Sequence, residues 1–255
     1  MGAYKHDGPI DCQVQIDASK LDGKTAIVTG GATGIGEAYV RALQAVGIKF
    51  VKCDSTNWED QSDGRISYVV VNAGITRKDD VFQYDGDKVE PQKPDLSVIN
   101  VNLNGSLYTA KLASHYFIKQ NGQTPSSSQQ DTCLVLIGSG AAFLDVPREP
   151  QYAASKWATR GIMHSLRRTT YYYGSRVNVI SPWYVRTNIL SEEAFQHVSD
   201  VGVEFAKAED AGQCLLRILS DSTINGHSFF ISARKWAPSG YADLDIDDYP
   251  SRDLL

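Results

Sequence analysis

Six short strand-like runs, several of them dominated by Val and Ile and alternating with helix-like stretches, constrain this chain more than any other feature. They fall at residues 25–29, 48–53, 66–71, 133–137, 176–180 and 228–232. Helical patterns lie between them, at residues 36–46, 95–120, 152–173 and 209–220. Several of the apolar runs are continuous rather than alternating, which predicts strands buried on both faces. Strands that alternate with helices build parallel βαβ units. The expected fold is therefore α/β: a three-layer, doubly wound parallel sheet. A length of 255 residues suits one domain of the larger kind.

The first strand runs directly into glycines. Thr25-Ala-Ile-Val-Thr29 is followed by Gly30-Gly-Ala-Thr33-Gly34-Ile35-Gly36 and then by a helical run. Glycines at a strand-to-helix turn let a backbone approach a pyrophosphate closely, and the free N–H groups of the helix start favour anions. The loop thus reads as a nucleotide-binding turn, against the plainer reading of a Gly-rich turn with no ligand. Asn72-Ala73-Gly74 ends the third apolar run, where small residues leave room for a ligand across the strand end.

Tyr152 and Lys156 stand four residues apart in Tyr152-Ala-Ala-Ser-Lys156, with Ser139 at the end of the fourth apolar run. The spacing puts both side chains on one helical face. A phenol titrates near ~10, and a neighbouring ammonium is expected to lower that value and so ready the Tyr for proton transfer. The spacing alone decides little. Tyr84 and Lys88 share it in a turn-rich stretch with no Ser at the equivalent distance, and read as a solvated loop. Asn102 lies inside a helical stretch, where an amide competes with the backbone ladder.

Composition narrows the partners. The net charge of −5 argues against nucleic acid, and no apolar run reaches the ~20 residues of a membrane span. Residues 1–9 lack the apolar stretch of a secretory leader. Cys12, Cys53, Cys133 and Cys214 show no metal or disulfide spacing, and the five histidines no ligand pattern. Free thiols in a reducing, cytoplasmic compartment are the expectation.

Together these residues resemble the classical short-chain dehydrogenases/reductases. The resemblance rests on Thr29-Gly30-x-x-x-Gly34-x-Gly36, Asn72-Ala-Gly74, Asn102, Ser139, Tyr152-x-x-x-Lys156, and Asn178-Val-Ile-Ser-Pro182 leading to Thr187, all in family order over residues 20–235. It implies a Rossmann fold and reversible hydride transfer between NADP or NAD and a carbonyl, alcohol or imine of a small to medium apolar substrate. It implies Tyr152 as general acid/base, Lys156 on the nicotinamide ribose, Ser139 on the substrate oxygen, and Asn102 ordering a water in a proton relay. It places the cofactor against Gly30, Thr33, Gly34, Ile35, Gly36, Asp54, Asn72, Ala73, Gly74, Tyr152, Lys156, Val185 and Thr187, and the substrate against Trp183 and Ala141. It implies a homodimer or homotetramer formed through two long helices. Trp183 and residues 235–249 look like a hydroxyprostaglandin-dehydrogenase-like branch found in fungi, many of whose members serve secondary metabolism.

The chain also departs from that pattern. Trp183 follows Pro182 where the family usually has Gly, either narrowing the pocket or packing at the surface. Only residues 37–71 separate Gly36 from Asn72, so one βα unit is expected to be missing. Asp54 either selects NAD at the adenosine ribose or stands in the following strand, beside the adenine. Residues 1–20 read as a loosely packed N-terminal arm, 21–235 as the catalytic domain, and 236–255 as an acidic and aromatic tail, more solvated than folded over the site. The competing function is a non-redox relative of the same fold, a cyclase or cofactor-binding protein with an impaired dinucleotide site.

Overall fold

The protein is described here from a computed structural model, over residues 7–50, 64–87, 89–187, 189 and 192–248. Its centre is one seven-stranded sheet in the order β2-β1-β3-β4-β5-β6-β7. The strands are β1 (Thr25–Val28), β2 (Lys49–Phe50), β3 (Tyr68–Val71), β4 (Thr132–Ile137), β5 (Ser175–Pro182), β6 (Ser228–Ile231) and β7 (Tyr241–Asp243). The first six are parallel; β7 returns antiparallel beside β6.

Each central strand feeds two cores at once. Tyr68 and Val70 point to one face and Val69 and Val71 to the other; Cys133, Val135 and Ile137 are likewise opposed to Leu134 and Leu136. That is why these runs show no polar alternation. Helices α1 (Gly34–Ala45) and α6 (Ala208–Ser220) cover the first face through Tyr39, Leu43, Leu215 and Ile218. Helices α3 (Gly105–Asn121) and α4 (Pro150–Leu166) cover the second through Ala110, Ala113, Phe117 and Met163. A short α2 (Ser97–Ile99) leads into α3 through a π-turn at Asn100–Asn104, and α5 (Glu192–Asp200) is a further helix outside the expected set. The three layers and the parallel sheet match the expected fold class.

Chain order reverses between β1 and β3. The carboxyl ends of β1, β3, β4 and β5 therefore open on one edge, where a doubly wound sheet receives ligands. Between α1 and β3 the described residues supply one strand, β2, which pairs directly with β1. Of the strand run expected at 48–53, the described Lys49–Phe50 thus stand next to β1, the neighbour position of a Rossmann half. Asp54 lies outside the described residues.

Over their described residues, 7–20 and 236–248, the two terminal segments are more firmly packed than the sequence suggested. Ile10, Cys12, Ile16 and Ala18 lie against the first core, and the Ile10 N–H donates to Asp243 at 2.9 Å. The solvated-tail expectation is corrected as well. Residues 241–243 form β7, and Asp247 is buried against α4, where its carboxylate accepts from Arg160 and His164 at 2.8 and 2.9 Å. Asp248 takes Arg167 in the same way at 3.1 Å. The acidic residues look solvated in sequence because their cations lie some eighty positions upstream. Although burial opposes it, His164, the Ser228 hydroxyl and Arg160 hold the Asp247 carboxyl well below the usual carboxylate range.

Arg176 on β5 is wholly buried, and its guanidinium is fully engaged. It donates to both oxygens of Asp131 at 2.7 and 2.8 Å, and to the carbonyls of Ile218 and Ile224 at 3.0 and 2.7 Å. Removing one partner of such a pair strands the other charge. Arg176→Ala is expected to lower unfolding free energy by about 3–5 kcal/mol, read by urea denaturation. Asp247→Asn should cost about 2 kcal/mol at neutral pH. Because the folded Asp247 pKa is depressed, that stabilisation is present above the ordinary carboxylate range and fades as pH falls through it. The difference in melting temperature between wild type and Asp247→Asn should shrink accordingly in acid.

Candidate active site

The turn after β1 is built around a mutual grip between Thr29 and Asn72. The Thr29 hydroxyl accepts from the Asn72 and Ala73 N–H groups at 3.0 and 3.1 Å. The Asn72 side-chain amide donates back to the carbonyls of Thr29 and Gly30 at 3.0 and 3.1 Å. Gly30 turns with φ +64°, and a Cβ on Gly36 would collide with the Gly30 carbonyl and the Asn72 amide. The glycines are thus required by close approach of backbone to backbone. Thr33 precedes α1 without a side-chain cap, so the first-turn N–H groups of α1 remain available to an anion.

The second half of the site hangs on α4. Lys156 is buried, and its ammonium donates to the Ile137 carbonyl at the end of β4 at 3.0 Å. The nitrogen lies 5.6 Å from the centre of the Tyr152 ring. Ser139 follows β4; its hydroxyl accepts from the Ala141 N–H at 3.2 Å and lies within hydrogen-bond reach of the Tyr152 phenol. Asn102 sits in the π-turn. Its amide clasps Ile75 in both directions, accepting from the N–H at 2.8 Å and donating to the carbonyl at 2.9 Å, and it reaches the Ser155 hydroxyl at 3.3 Å. A polar residue that disturbs a helical ladder and a π-turn at that residue are one event seen from sequence and from structure. Gly74 lies between Asn102 and Lys156: a Cβ there would stand 3.3 Å from the Asn102 oxygen and 3.6 Å from the Lys156 nitrogen.

These groups face one cleft of about 740 Å³. Gly30, Thr33, Gly34, Ile35, Gly36, Asn72, Ala73 and Gly74 line it together with Ser139, Ala141, Tyr152, Lys156, Trp183, Val185 and Thr187. Asn102 stands behind the wall, buried at 2% exposure. Asp54 is the one predicted site residue outside the described region. Trp183 lies in the cleft wall, edge-on to Tyr184 at 4.5 Å, with its ring against Gly140 so closely that no Cβ fits there.

Burial overturns one electrostatic expectation. The Tyr152 phenol is pushed above its ordinary value, chiefly by desolvation; the Ser139 hydrogen bond opposes this and the Glu149 carboxylate adds to it. Desolvation also brings the Lys156 ammonium down, to about 8, while the Ile137 carbonyl engages it. Glu149, Arg77, Val146 and Phe195 also line the cleft and were not singled out from sequence. Glu149 stands three residues before Tyr152 and could have been found by scanning that helical face for charge. Phe195 could not, since it comes from α5, whose polar pattern hides one inward ring.

Residues 57–197 match the family described as short chain dehydrogenase, more than half of the chain. The chain belongs to the short-chain dehydrogenase/reductase family. It is an oxidoreductase of that family. The matched region begins after the glycine loop, which precedes it in the chain. Among curated relatives, the chain is 27% identical to a 5′-hydroxyaverantin dehydrogenase of Dothistroma septosporum, covering 94% of this chain and 93% of the relative. It is 28% identical to the NADP-dependent dehydrogenase M3 of a Phoma species, covering 91% and 81% respectively. Among solved structures it resembles a gluconate 5-dehydrogenase of Burkholderia cenocepacia, with a TM-score of 0.66 at 19% identity over 85% of this chain and 97% of that one. That last likeness concerns the fold.

Since the folded Lys156 pKa lies below that of the unfolded chain, the folded state sheds its proton first as pH rises. Between about pH 8 and the ordinary lysine value, wild type should therefore gain stability relative to Lys156→Met. Chemical denaturation of the two proteins across that range checks this, and a constant difference would place Lys156 in a more hydrated setting.

Proposed function

We propose that this short-chain dehydrogenase/reductase uses NADP or NAD to interconvert a carbonyl, or an imine, and the corresponding alcohol or amine of a small to medium apolar substrate. The observation that carries the reading is the convergence of Ser139, Tyr152 and Lys156 on the cleft that also holds the glycine turn. The residues fit a dinucleotide on structural grounds: an uncapped helix start faces a cradle too tight for any Cβ, and the cleft runs from there to Tyr152. Gly30, Thr33, Gly34, Ile35 and Gly36 would take the pyrophosphate. Asn72, Ala73 and Gly74 would lie beneath the ring system, with Lys156, Val185 and Thr187 at the nicotinamide end. When bound, that group supplies or accepts the hydride.

The chain's own work is proton transfer and orientation. Ser139 holds the substrate oxygen by hydrogen bond, and Tyr152 gives that oxygen a proton in reduction or takes it in oxidation. Burial disfavours the phenolate of Tyr152, so the protonated phenol is the resting form from which the proton is given. Lys156 places positive charge beside the phenol as the proton leaves, and Asn102 fixes the loop at Ile75 that forms the cleft floor. Trp183, Ala141, Val146 and Phe195 give the substrate end an apolar, aromatic lining. The named fungal relatives support a role in secondary metabolism. Exposed Tyr108 and Leu112 on α3 and Trp157 on α4 support association through these helices into a homo-oligomer.

NADPH and NADH titrations followed by fluorescence, then a carbonyl panel followed by nicotinamide absorbance, test the reading. Binding of at least one cofactor and turnover of at least one carbonyl are expected; failure to bind either cofactor would favour a non-redox relative of the fold. Tyr152→Phe should lower kcat on the order of 1,000-fold with cofactor affinity nearly unchanged. Retained activity would assign the acid/base elsewhere.

A further inference from the structure

One helical turn beyond Lys156, and two beyond Tyr152, α4 presents Arg160. Its side chain is only 11% exposed. One guanidinium nitrogen, Nη1, donates to the Ala142 carbonyl at 2.8 Å. The other two, Nε and Nη2, donate to one oxygen of Asp247 at 3.1 and 2.8 Å, the oxygen that His164 also contacts at 2.9 Å. The plane lies over the Phe143 ring at 4.4 Å, with the Trp157 ring 5.2 Å away.

Ala142 closes a single turn of 3₁₀ helix, Gly140–Ala142, that starts at Ser139. Within it the Ala142 N–H returns to the Ser139 carbonyl at 2.9 Å, and the Ala141 N–H to the Ser139 hydroxyl at 3.2 Å. Trp183 also presses on this turn, at Gly140. The Ser139 turn thus meets an indole ring at Gly140 and an arginine fork at Ala142. The fork joins three segments distant in sequence: the helix with Tyr152 and Lys156, the turn with Ser139, and the C-terminal segment with Asp247.

We propose that Arg160 is a positioning residue for the Ser139–Tyr152 pair, oriented by Asp247, so that the C-terminal segment reaches the reaction through the Ala142 carbonyl. The inference rests on the functional reading above. The requirement is for a planar fork: two donors face Asp247 while a third faces Ala142, an arrangement a lysine's ammonium on a flexible stem does not reproduce. A nearby ion pair supplies a control. Asp248 accepts from Arg167, the C-cap of the same helix, at 3.1 and 3.3 Å, anchoring the same segment about two helical turns beyond Arg160.

The test compares Arg160→Met, Arg160→Lys, Asp247→Asn and Asp248→Asn with wild type. The readouts are NADPH and NADH affinity, kcat and KM with the better-bound cofactor and 9,10-phenanthrenequinone as probe carbonyl, and amide hydrogen exchange of residues 139–144. For Arg160→Met and Asp247→Asn, kcat should fall about 10-fold while cofactor affinity stays within about twofold, and exchange in 139–144 should accelerate. Arg160→Lys should recover part of the loss. Asp248→Asn should keep wild-type kcat and wild-type exchange at 139–144. Wild-type kcat and exchange in Arg160→Met would overturn the proposal, as would equal damage from Asp247→Asn and Asp248→Asn. If the wild-type chain binds no nicotinamide cofactor, the functional reading fails on its own, and exchange at 139–144 still decides whether Arg160 holds the Ser139 turn.

Discussion

The buried amide of Asn102 is the fastening on which the rest of the site depends. It holds both backbone groups of Ile75, and so fixes the loop leaving β3 against the helix that begins at the π-turn. Its contact with Ser155 ties that helix to α4, next door to Lys156. Three elements brought together by the sheet only approximately are thereby held by one side chain of fixed shape. A buried amide with these partners is costly to disturb, because each lost bond leaves a backbone group unpaired in an apolar setting. The π-turn is the backbone's accommodation to it.

The glycine turn and the catalytic helix then solve different problems with the same means. At the first, side chains are absent because Asn72 and the Gly30 carbonyl take up their space. At the second, charge is brought inside. Lys156 keeps a buried nitrogen only because the Ile137 carbonyl receives it, and desolvation still drives its pKa to about 8. The resulting pair is a phenol that resists losing its proton beside an amine that resists keeping one.

Much of this was legible in the residues. Continuous Val/Ile runs gave the parallel sheet, because burial on both faces leaves no polar alternation. The glycine spacing and the Tyr152–Lys156 step located two sets of cleft-lining residues, because both are local in the chain. What was not legible depended on distance. Asp247 and Asp248 look like a solvated acidic tail until Arg160, His164 and Arg167 are placed beside them. β7 is too short to show a strand pattern and exists because β6 offers an open edge. The expected lowering of the Tyr152 pKa failed because a spacing of four reports direction along a helix, and says nothing of how deeply the groups are buried.

The packing of Trp183 on Gly140 has a historical reading. With the ring in place, a Cβ at position 140 would collide with the indole, and the three atoms nearest to it all belong to Trp183. The two positions are therefore epistatic, and the order of change matters. A chain that acquired the indole first is committed to glycine at 140, on the turn that carries Ser139. Lineages bearing Trp at 183 should explore new pocket shapes elsewhere, through Val146, Ile189 and Phe195, while 140 stays locked until the ring is lost.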